Sequence, residues 1–139
     1  MKAIGTIFAR FFMTAIFIGS AVQKIANPKD TILRMSEAEI PHASTMYVGA
    51  IIFLLAGGLS VLLGYKTKIG AILILTYLVL VTYFFHRFWT FPENQQSTQL
   101  VAFLHNLGLF GAFTFVFFNG PGPGNLDSLV SNREPASSA

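Results

Sequence analysis

The sequence predicts an all-α integral membrane protein, a four-helix bundle with a short interfacial helix between its first and second spans. Three observations carry this reading. Of the 139 residues, 53% are hydrophobic and 11% charged, against about 45–50% and about 25% in soluble domains. With a mean hydropathy of +0.61, the chain has too little polar surface to cover a water-soluble globule. Four stretches also come close to the roughly 20 apolar residues that a spanning helix needs: Ile4 to Ile25, Tyr47 to Leu63, Ile69 to Phe85 and Leu100 to Phe118. None of them alternates polar and apolar residues, as the strands of a membrane barrel would.

The first span is retained rather than cleaved, because its apolar part is long, Arg10 interrupts it and no small-x-small site precedes a soluble domain. In the connection ANPKDTILRMSEAEIPHAS, Asn27 and Pro28 read as an N-cap and a first-turn proline, with Asp30 placed against the helix dipole. Ile32, Leu33 and Met35 fall among charged residues there, which suits a helix lying in the interface and ending before Pro41. GYKTK is a tight turn with Lys66 and Lys68. The stretch FFHRFWTFPENQ ends the third span in an aromatic belt at headgroup level, and Pro92 turns the chain. The spanning domain covers 1–130. Beyond it, the Ser/Ala-rich segment 131–139 has little to bury and is expected to be disordered.

Composition also excludes functions. The absence of cysteine removes disulfides, thiol nucleophiles, Cys-ligated metals and thiol–disulfide relays within this chain. The basic pI of 9.5 comes from nine Lys and Arg against six acids, without a basic block, so no nucleic-acid partner is expected. Lys2, Lys66, Lys68 and Arg133, with Arg10, fall on one side, and Lys24, Lys29, Arg34 and Arg87 on the other. The short lysine turn favours placing both termini in the cytoplasm.

Polar residues inside apolar spans are the candidate functional groups. Arg10 and Lys24 share one face of the first helix with Thr14, Phe17 and Ala21, about 21 Å apart along it. Lys24 reads as a lysine reaching out to the interface. Arg10 lies inside the span and needs a partner: a backbone carbonyl, a carboxylate or a bound ligand. His86 ends the third span, and His105 with Asn106 sits in the fourth at the same end, which suggests a polar network that Tyr77 and Tyr83 could join. His42 reads as a solvated loop residue. His86, His105 and Glu93 lack the i, i+3 or i, i+4 spacing of ligands on a helix, and no metal is assigned to them. No nucleophile–base pair, phosphate loop or paired carboxylate is visible. Ala50, Gly57 and Gly64, and likewise Gly108 and Gly111, read as faces where helices pack closely within the bundle, with a homodimer seam as the alternative.

These motifs together resemble the DoxX family of small bacterial membrane proteins. The resemblance runs from about Ala9 to Leu129, through ARFFMTAIFIGSAVQKI, AEIP, GGLSVLLGYKTKIGA, FFHRFWTFPENQQSTQLVAFLHNLGLFGA and GPGNLDSL. It marks Arg10, Lys24, His86, Gln99, Asn106 and Gly111 as family-like. The chain departs where many members carry a glutamate before the paired glycines, since FLLAGG offers Phe53 or Leu54, and where lysine often precedes the asparagine, since His105 stands there. The resemblance implies a bacterial inner-membrane bundle with lipid around it. It links the chain to a family whose name comes from a subunit of a thiosulfate:quinone oxidoreductase.

Three functions follow as expectations. One is an accessory subunit of a membrane redox complex, contacting a quinone between Arg10, His86, His105 and Asn106, with a partner oxidoreductase subunit supplying the electrons. Another is a non-enzymatic scaffold or assembly factor. A third is a small lipid or metabolite carrier, which would need a homo-oligomer.

Overall fold

A computed structural model describes residues 1–131. The helices are α1 (Lys2–Ala26), α2 (Pro28–Glu37), α3 (Ala43–Leu63), α4 (Thr67–Phe85), α5 (Glu93–Asn119) and α6 (Leu126–Ser131), with a single 3-10 turn at Phe88–Thr90 between α4 and α5. Four of them, α1, α3, α4 and α5, are long and apolar enough to cross a membrane. The all-helical four-span bundle with a short helix after its first span is therefore the fold.

The face of α1 read from the sequence is the one that is buried: Arg10, Thr14, Phe17 and Ala21, spaced as a helix of 3.6 residues per turn requires. It packs on α3, α3 packs on α4, and α4 on α5. The circuit closes between α1 and α5 through long side chains, with Phe17 set edge-on to Phe113 at 5.1 Å between ring centres. Leu54, Val61, Ala71, Ile74, Leu78 and Val116 complete the core. At the α3–α4 crossing the backbones come close because Gly57 faces Gly70. A Cβ on Gly57 would lie 2.8 Å from Ile74 and 3.0 Å from the Gly70 carbonyl oxygen. Small residues allow this approach in membrane helices, where packing replaces the hydrophobic driving force.

The connections divide into two ends. At one, α2 packs on α3 and on the end of α1. Asn27 stands at the N-cap of α2 as expected, but its side chain caps α1 instead, donating to the Gln23 carbonyl at 3.2 Å. Met35 turns inward from α2 and is buried, while Leu33 is exposed. At the other end, the turn after α3 meets the strap of residues 120–125 and α6. Asn125 caps α6 by accepting from the Ser128 amide at 2.8 Å, and the Asp127 carboxylate accepts from the Lys66 amide at 3.1 Å. Gly64 holds a left-handed φ of +67° at the C-cap of α3, a conformation that glycine adopts without steric cost.

Two expectations need correction. The last span begins at Glu93 rather than near Leu100, because ENQQSTQ continues the helix outward with Glu93 in its positive first turn. Gly108 and Gly111 do not pack inside the bundle: both are exposed, and a Cβ on either would meet nothing within 4 Å. The tail expected over 131–139 lies outside the described residues except for Ser131, which closes α6.

Candidate functional site

The candidate residues do not form one cleft. Arg10 is at the strap end, 4% exposed, and donates from Nη2 to the Gly124 carbonyl. Its Nη1 lies against Gly64 at the C-terminus of α3. The partial negative charge of that helix end favours a cation there. The partner left open by the sequence is thus a backbone carbonyl. Among the described residues, the one ion pair within 4.0 Å is Arg34 with Asp30, at 3.0 Å on exposed α2.

At the opposite end, a cavity of about 600 Å³ opens between α1, α2, α3 and α4. Its walls are apolar: Phe53, Tyr77, Leu80, Val81, Phe84 and Phe85. Its polar groups gather toward α2 and include Gln23, Lys24, Asp30, Arg34 and His86. Lys24 is half-buried and, contrary to the expectation that it reaches outward, folds back one turn along α1. Its ammonium donates to Ser20 Oγ at 2.9 Å. Tyr47 of α3 holds the backbone there, donating to the Lys24 carbonyl at 3.0 Å. His86 is half-buried, with Nδ1 2.9 Å from Gln99 Oε1. When that amide oxygen accepts, the imidazole keeps Nε2 as its other polar atom.

The remaining candidates lie elsewhere. Asn106 donates to Thr82 Oγ1 at 3.0 Å and lines, with Tyr83, a shallower groove of about 320 Å³ between α4 and α5. Tyr83 is itself exposed and carries Arg87 over its ring, 5.1 Å from the centroid. His105 is exposed on the outer side of α5, so it joins neither the expected network nor a quinone cleft. Adjacent helical residues point about 100° apart, and Asn106, not His105, faces α4. Among the described residues there is no cluster of three His, Cys, Asp or Glu that could hold a metal.

Sequence reasoning missed the cavity itself and Ser20, and left open whether Phe53 or Leu54 stands at the family's glutamate position. The signal for Ser20 was its spacing four residues before Lys24, which puts the two side chains together on a helix. Phe53 lines the cavity and Leu54 is fully buried in the core. On antiparallel α1 and α3, Gly58 meets Phe17 and Ile18 while Gly64 meets Arg10. A carboxylate at position 53 would therefore face the cavity of Lys24, away from Arg10.

Comparison with known proteins agrees with this architecture. The chain is 27% identical over 133 residues to inner membrane protein YqjF of Escherichia coli, covering 96% of this chain and 97% of that protein. It is 23% identical over 121 residues to inner membrane protein YphA of Escherichia coli, covering 87% and 86%. No solved structure matches the chain. Residues 5–87 match DoxX, a segment that holds every residue lining the larger cavity and stops short of α5. With well over half of its length matched, the chain belongs to the DoxX family of membrane proteins.

Proposed function

We propose that the chain is an accessory subunit of the bacterial inner membrane, both termini cytoplasmic, whose cavity beneath α2 receives the head of a membrane-dissolved amphiphile. A quinone is the occupant that would connect it to a redox complex. The observation that supports this is the cavity of about 600 Å³, with apolar walls and a polar end built from Lys24 and His86. That volume lies within the roughly 300–1,000 Å³ of small-ligand sites, which are mostly apolar with a few convergent polar groups. Lys24 is a donor for a quinone carbonyl. His86 Nε2, if neutral, is an acceptor for a quinol hydroxyl. The chain's part is binding and orientation, with electrons exchanged by a partner subunit.

The test is titration of the purified full chain, in a neutral detergent, with a short-chain quinone. Saturable binding weakened about tenfold by Lys24→Ala and by His86→Ala is expected, since a lost hydrogen bond of this kind costs roughly 1.5 kcal/mol. Absence of saturable binding would remove the reading.

A second reading, a scaffold for another membrane helix, is supported by the outer side of α5. His105, Gly108 and Gly111 are exposed there, and small residues allow another helix to approach. Crosslinking from an introduced cysteine at position 108 should capture a discrete partner if this role holds.

A further inference from the structure

We infer that the occupant of the cavity beneath α2 is a single-chain amphiphile with an oxyanion head, a long-chain carboxylate or a phosphate monoester, held by Lys24. This rests on the reading of the cavity as an amphiphile site and assigns to that site an anionic occupant in place of a quinone.

Lysines near the end of a membrane helix ordinarily extend toward water, which keeps the ammonium hydrated. Lys24 does the reverse. Its ammonium turns back toward the membrane interior and meets a neutral hydroxyl, Ser20, at 2.9 Å. A cation drawn away from water without a counter-charge is costly. The groups facing the cavity do not provide one. From α2, Asp30 is taken by Arg34 at 3.0 Å. From α4 come Tyr77 and His86, and α3 contributes the apolar Phe53. The last turn of α1 favours a cation through its dipole, typically by 0.3–1 kcal/mol, which is small beside the cost of desolvation. The charge at the polar end of the cavity is therefore uncompensated and aimed inward.

The rest of the cavity fixes the other half of the ligand. Phe53, Leu80, Phe84 and Phe85 present apolar surface, which an acyl chain fills and an inorganic anion does not. A volume of about 600 Å³ accommodates one chain; a two-chain phospholipid is larger. Carboxylate and phosphate share the needed chemistry, an anionic oxygen acceptor for an ammonium.

The experiment compares heads on one tail. The full chain in neutral detergent is titrated with oleate, oleyl phosphate and oleyl alcohol, each below its micellar concentration, and with a short-chain quinone. Oleate or oleyl phosphate is expected to bind at least about tenfold more tightly than the alcohol, the tighter of the two identifying the head. Lys24→Gln should abolish that preference. Phe53→Glu, which places a carboxylate in the same cavity, should abolish it too, whereas Phe53→Gln should retain it. Saturable binding of alcohol and anions with equal affinity would overturn the anionic head and leave the amphiphile site standing, as would binding of the quinone alone. No saturable binding of any of them would overturn both. If Lys24→Gln fails to fold, the Phe53 pair decides.

Discussion

Arg10 and Lys24 belong to one face of one helix, yet the two ends of the bundle treat them oppositely. The strap end closes over Arg10, giving its guanidinium the Gly124 carbonyl and the C-terminus of α3. The α2 end leaves Lys24 beside an open cavity with a hydroxyl for company. A cation at a membrane boundary thus serves two purposes in the same molecule. Where one backbone carbonyl and a tight turn meet it, leaving Nε and Nη1 without a partner, the charge fastens the strap to α1. Where apolar walls and empty space surround it, the charge is available to something that arrives from the membrane.

If this contrast is right, stability should respond to the strap end and binding to the α2 end. Arg10→Ala removes the carbonyl's partner and leaves a void, and a loss of about 2–4 kcal/mol is expected in denaturant or thermal melts of the purified chain. A fully stable variant would break the comparison. Gly64→Ala puts a Cβ where Arg10 and Asn125 stand, on a left-handed backbone, and should cost about 2 kcal/mol by the same melt. Asp127→Ala takes the cap from the Lys66 amide, worth about 1 kcal/mol. Because the chain has no cysteine, a single Ser128→Cys reporter should label faster in that background, and unchanged labelling would mean the strap is held otherwise. Last, Lys24→Gln should cost no stability without ligand, because it removes a charge that no counter-charge offsets, while altering what binds. A large destabilisation would make Lys24 structural after all.

The spans were legible because length and hydropathy alone decide what a bilayer accepts, and α2 because Asn27, Pro28 and Asp30 mark a helix start by local chemistry. The beginning of α5 was not, since ENQQSTQ is polar and a hydropathy reading stops at the hydrocarbon edge while the helix does not. Which way His105 points was also hidden. On α1 the polar Arg10 and Thr14 label the inward face, but the spanning part of α5 has no clear polar face, so His105 and Asn106 looked equally inward. The partner of Arg10 escaped because Gly124 lies in a Pro/Gly stretch that reads as punctuation. Its role depends on the strap returning to α1. The cavity escaped for a related reason: it is space left by the lie of α2, and only Lys24 hinted at it.

The bond between Arg10 and Gly124 joins residues 114 positions apart, and that separation has a meaning in time. At about 5–20 residues per second, the ribosome needs roughly 6–23 s to supply the acceptor after the arginine has been made. For that interval the first helix carries a guanidinium whose final partner does not yet exist, so it must wait near the lipid headgroups or in the insertion machinery. The strap, made after all four spans, is then what supplies that partner. Assembly of this bundle finishes at the strap, and a chain interrupted before Gly124 would hold four spans that have not yet been locked.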